Sequence, residues 1–124
     1  MENGPDSTPH SLIPLRPVVF EILLIINEEE RHGYGIMQDV KERTHGRSIL
    51  GPGTLYRTLN EMQALDFIER SDRRPAPDLD DERRVYYRLT DFGREVATAE
   101  AARMEQLVHT ARSGRLLSHR KPVS

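Results

Sequence analysis

The chain has 124 residues, 36% of them hydrophobic, which is enough for one modest core and excludes a second domain. It contains no cysteine, so disulfides, thiolate metal sites and cysteine nucleophiles are excluded, and a reducing cytoplasm is the expected address. The net charge of -2 argues against a uniformly basic nucleic-acid binder, so any such role must rest on how charge is distributed.

Residues 1–14 (MENGPDSTPHSLIP) show no helix or strand period and predict a loose tail. They carry Glu2 and Asp6, no lysine and no apolar run before a small-residue cleavage site, so they do not read as a signal peptide. From Arg16 the pattern turns helical, because Val19, Ile22, Leu23 and Ile26 recur three and four apart. The run Val18 to Ile26 is interrupted by Glu21 and falls far short of the roughly 20 residues that cross a bilayer. It predicts a core helix, and no membrane partner is expected.

A second, short amphipathic helix is expected from Tyr34, with Ile36, Met37 and Val40 inward and Gly46 as its C-terminal cap. Ser48-Ile49-Leu50 predicts a very short strand. Gly51-Pro52-Gly53 then breaks the chain ahead of a third helix that runs to about Leu65. Charge is segregated: residues 41–60 hold Lys41, Arg43, Arg47 and Arg57 against Glu42 alone, whereas the first thirty hold six acids against Arg16. In the third helix Leu55, Leu59, Met62 and Leu65 share an inward stripe, leaving Thr54, Tyr56, Arg57, Thr58 and Asn60 outward, where such side chains suit groove edges and phosphates. The Tyr56 ring has a second reading, packing under the second helix with its hydroxyl toward a phosphate.

After Asp66 the period changes. Phe67-Ile68-Glu69-Arg70 and Val85-Tyr86-Tyr87-Arg88-Leu89 are rich in β-branched and aromatic residues and predict two strands joined by a polar loop, SDRRPAPDLDDERR. Arg84 and Arg88 share one strand face and are candidates for phosphate contact, while Arg73 and Arg74 have nearby acids to pair with. Thr90 can cap a last helix that continues to about Arg112, in which Gly93 permits close packing, and residues 113–124 predict a frayed tail. Val96, Met104, Leu107, Val108 and Ala111 on that helix need an apolar cover, for which the first helix of the same or a twofold-related chain is the natural candidate.

Helix, helix, helix, hairpin, helix is the order of a winged helix-turn-helix: mainly α with a small β-hairpin, a DNA-binding unit over residues 15–90 and a dimerisation helix over 91–112. The segments HGYGIMQDV (32–40), GPGTLYRTLNEMQALDFIE (51–69) and RRVYYRLTDFGRE (83–95) together resemble the PadR family of bacterial transcriptional regulators. The resemblance spans roughly residues 15–110. It departs from the family's common pattern at Arg57, Glu61 and Asp66, where proline, arginine and glycine are frequent, so no operator sequence transfers with it.

The resemblance implies a homodimeric repressor without enzymatic activity, bound to a double-stranded operator. Pairing through the last helix would set two reading helices about 34 Å apart and favour a pseudo-palindrome. It also leaves room for a small-molecule effector between the last helix and the first, lined by Phe20, Leu24, Met104 and Val108. The plainer reading, that these side chains are interface alone, is preferred.

Two rival readings stand beside this one. In one, the third-helix face binds another protein, and salt dependence separates the cases because phosphate binding weakens steeply with added salt. In the other, a small hydrolase, a titratable cluster in a pocket is required. The five histidines show no ligand spacing, no serine sits in a nucleophile elbow, and GPG lacks the lysine of a phosphate-binding loop, so neither catalysis nor a metal or cofactor is expected.

Overall fold

The computed structural model describes residues 8–72 and 85–118. Four helices and three strands follow one another: α1 Pro17–Glu28, β1 Arg31–His32, α2 Gly33–Arg43, α3 Pro52–Ala64, β2 Ile68–Ser71, β3 Tyr86–Leu89 and α4 Asp91–Ser113. The strands form one antiparallel sheet in the order β1-β3-β2, with Ile68 opposite Leu89, Glu69 opposite Arg88 and His32 opposite Tyr86. The helical order and the hairpin agree with the sequence reading. The strand expected at Ser48-Ile49-Leu50 does not form; the third strand is β1, two residues laid along β3.

Helix α1 is the centre of the core. Proline at its first turn presets the backbone, and Ile22, Leu23, Ile25 and Ile26 are almost wholly buried, so the helix is apolar on most of its circumference. It packs against α2, β3 and α4, and the core closes with Ile36, Val40, Leu55, Leu59, Met62, Phe67, Tyr87 and Val96.

Local signals end the helices where the site needs turns. At α2 the left-handed cap falls on His45, at φ 54°, one residue ahead of the expected Gly46, which follows at φ 81° with its N–H donating to the Lys41 carbonyl at 2.8 Å. At α3 the same device falls on Asp66, at φ 66°, with the Phe67 N–H donating to the Met62 carbonyl at 2.8 Å. Glycine is favoured in that conformation and aspartate tolerated, so the backbone accounts for the departure noted at this position. The turn leaves Leu65 exposed and sends Phe67 and Ile68 inward, which corrects Leu65 as the end of the inward stripe.

Residues 9–12, expected in the loose tail, form a 3-10 turn that Thr8 caps and that packs on α4. The link is made firm at Glu100, wholly buried on α4, whose carboxylate accepts from the Leu15 N–H at 2.9 Å and from Arg103 Nε at 2.6 Å. The Arg103 hydrogen bond, helped by the Leu15 amide, holds the Glu100 carboxyl below its ordinary range against the opposing cost of desolvation. Thr90 caps α4 by accepting from the Gly93 N–H at 2.8 Å. A Cβ at Gly93 would lie 1.9 Å from the Phe67 carbonyl oxygen, so only glycine lets α4 sit this close to the chain entering the hairpin.

Candidate nucleic-acid interface

Helix α3 turns a narrow apolar face inward and a polar face out. Leu55, Thr58, Leu59 and Met62 are buried, at the three- and four-residue spacing that defines one face. Opposite them Gly53, Arg57, Asn60 and Ala64 are exposed, flanked by Thr54 and Tyr56. Thr58 therefore belongs to the inward face. It is 2% exposed and its hydroxyl donates to the Thr54 carbonyl at 2.7 Å, which corrects its place among the outward side chains. A threonine can be buried so because its own helix satisfies its only polar group.

The N-terminal end of α3 is bare. Gly51 is the N-cap and offers no side-chain cap, Pro52 follows, and the first intrahelical bond runs from the Leu55 N–H to the Gly51 carbonyl. A Cβ at Gly51 or Gly53 would meet nothing within 4 Å, so another molecule can approach the backbone there. Uncapped N–H groups and the positive end of the helix dipole favour an anion at such an end.

Charge around this face is arranged by ion pairs. Arg16 at the start of α1 pairs with Glu61, which takes the one acid of the α3 mid-section away from the outward centre. Arg43 grips Glu28 through two hydrogen bonds of 2.7 and 3.0 Å, drawing the Glu28 carboxyl below its ordinary range, and Arg31 lies 3.1 Å from Asp39. Among the described residues Lys41, Arg47 and Arg57 make no ion pair, so three cations stand unneutralised near α2 and α3.

The Tyr56 ring packs against the start of α2. Its hydroxyl oxygen would lie 2.5 Å from a Cβ at Gly33, so the glycine at the start of α2 makes room for the ring, which stays 48% exposed. On the hairpin, Arg88 is exposed and its Nε donates to Glu69 across the ladder at 2.9 Å, so a phosphate would have to displace that carboxylate. Arg73, Arg74 and Arg84 lie outside the described residues.

The second surface is on α4. Leu107 and Val108 are exposed, Met104 and Ala111 partly so, and Leu24 of α1 is exposed as well. Val96 is wholly buried in the chain's own core and is removed from the expected pairing surface. Phe20 is buried too, while Leu24 and Val108 face solvent, so the four side chains suggested for an effector do not line a closed pocket within one chain. An open groove of about 640 Å³ lies elsewhere, between Leu12, Leu15 and Val19 and the end of α3 at Met62 and Leu65. Two features escaped the sequence reading: the buried acid Glu100, whose one signal was Arg103 three residues on, and the exposed Ile49 just ahead of α3.

Comparison with known proteins places this arrangement. The sequence matches the transcriptional regulator PadR-like family over residues 22–99. An uncharacterized protein of Lysinibacillus sphaericus is 32% identical over 73 residues, which is 59% of this chain and 64% of that one, so the chain spans less than two thirds of that relative's length. The fold is similar to that of a PadR-like transcriptional regulator from Bacillus cereus, at 27% identity and a TM-score of 0.66, over 83% of this chain and 93% of the other. A Streptococcus transcriptional regulator aligns at 26% identity and a TM-score of 0.64, over 79% and 91% of the two chains. A PadR family regulator from Clostridium difficile, 23% identical, shares the fold with a TM-score of 0.65 over 77% and 95%.

Proposed function

The chain belongs to the PadR-like family of transcriptional regulators, and from that premise we propose that it is a cytoplasmic, homodimeric repressor that binds a pseudo-palindromic DNA operator. Helix α3 enters the major groove, with Thr54 and the bare N-terminal end against a phosphate and Arg57 and Asn60 at base edges. Arginine suits guanine and asparagine suits adenine through paired hydrogen bonds. The hairpin lies over neighbouring backbone, where Arg84 and Arg88 hold the protein in place without choosing sequence. Two chains pair through the far half of α4, using Met104, Leu107, Val108 and Ala111, with Leu24 of α1 beside them. Family members are regulators and not enzymes, and no catalytic step is proposed.

The observation that carries this reading is the two-sided construction of α3. Four buried side chains fix the helix, while a glycine-bare end and two unpaired polar side chains are held outward on it. Selection of bound duplexes from a random pool tests it, followed by anisotropy titrations of the recovered duplex between 50 and 200 mM salt, a range over which roughly six to ten phosphate contacts would weaken binding on the order of 10³–10⁵-fold. A recovered inverted repeat and a steep salt slope are expected. Recovery of no sequence, or binding indifferent to salt, overturns the reading and favours a protein-interaction role for the same face.

A further inference from the structure

Ile49 is 77% exposed and stands two residues before the N-cap of α3. A single exposed isoleucine ordinarily means nothing, but three observations set this one apart. The turn leading into it is held: the Thr44 hydroxyl donates to the Val40 carbonyl at 2.9 Å and accepts from the Ser48 N–H at 3.0 Å, and the Arg47 N–H donates to the Thr44 carbonyl at 3.0 Å. Leu50, next in the chain, is buried in the core, so the loop is pinned on both sides of a side chain that points away. The surroundings are also open, with space at Gly51 and Gly53, and Arg47, two residues back in the chain, makes no ion pair among the described residues.

A stiff, β-branched side chain that follows a fixed turn and a cation, at the end of a groove-reading helix, suits one target in DNA. The thymine 5-methyl is the apolar group that the major groove displays, and aliphatic side chains contact it. We propose that Ile49 is a specificity-determining residue that packs on a thymine methyl at the edge of each half-site. The inference rests on the DNA-binding reading above and deepens it, because Ile49 adds an apolar contact to the polar readout by Arg57 and Asn60.

The test is a double-mutant cycle between protein and DNA. In the duplex recovered by selection, each thymine of a half-site is replaced in turn by deoxyuridine, which removes the methyl and keeps every hydrogen-bonding group. Wild-type protein should lose about fourfold in affinity at one position of the half-site, the size of burying one methyl group. Ile49→Ala should lose a similar factor on the thymine duplex and nothing more on the deoxyuridine duplex. Its exposure means that folding, checked by circular dichroism, should be unchanged. Indifference of the wild type to deoxyuridine at every position overturns the proposal, as does an Ile49→Ala variant that keeps full methyl sensitivity. Failure to bind any duplex defeats instead the DNA-binding reading on which the proposal stands.

Discussion

Replacing the buried acid Glu100 by glutamine probes how the segment ahead of α1 is tied to α4. The carboxylate accepts three hydrogen bonds, from Leu15 N–H at 2.9 Å and from Arg103 Nε and Nη2 at 2.6 and 3.1 Å. Glutamine keeps the shape, but its amide must turn a donor toward one of those donors. A buried donor left without an acceptor costs roughly 1–3 kcal/mol, and in a domain of this size that lowers the melting temperature by roughly 4–12 °C. The folded-state pKa of Glu100 lies below its ordinary value, so its stabilisation is fully present above the unfolded-state pKa and is lost as pH falls through the folded one. Melts followed by circular dichroism should therefore show the full gap between wild type and Glu100→Gln at pH 7, and a shrinking gap as the solution is acidified below about 4.5. Equal melting temperatures at pH 7, or a gap that widens in acid, would refute this account of the tie.

The other predictions separate packing from recognition. Gly93→Ala sets a Cβ 1.9 Å from the Phe67 carbonyl oxygen, a backbone clash that should reach the upper end of the roughly 1–3 kcal/mol cost of overpacking, read in the same melts. Thr58→Val removes a hydroxyl satisfied within its own helix; it should cost under about 1.5 kcal/mol and leave base preferences untouched, whereas a changed preference would return Thr58 to the reading face. Joint replacement of Leu107 and Val108 by aspartate should yield a folded monomer in sedimentation and weaken operator binding, and an unchanged dimer would remove the far half of α4 from the interface.

The sequence made the frame of this fold legible wherever a local rule had one outcome. The apolar spacing beyond Arg16, the Gly51-Pro52-Gly53 break ahead of α3, Thr90 as the cap of α4 and the strand-rich runs on either side of the polar loop each marked an element that formed. Strand β1 was missed because two residues carry no alternation, and its existence depends on Tyr86 and Tyr87 lying alongside. Ser48-Ile49-Leu50 reads as a strand by itself, but among the described residues no strand pairs with it, and Ile49 is left in solvent while Leu50 enters the core. Val96 and Leu107 read alike on one apolar stripe, yet α4 is long enough that its first turns cover the chain's own core while its later turns pass beyond it. On α3 the inward leucines identified the outward arginine and asparagine, but a buried threonine is indistinguishable in sequence from an exposed one when its hydroxyl is satisfied locally.

The most direct test of the central claim is an anisotropy titration of Arg57→Ala and Asn60→Ala, beside the wild type, on the selected duplex and on single-base mismatches of it. Each variant should lose on the order of 1–3 kcal/mol on the preferred site and relax its preference at one symmetric pair of positions, with melting unchanged because both side chains are exposed. If both variants keep full affinity and the same base preferences, α3 does not read DNA.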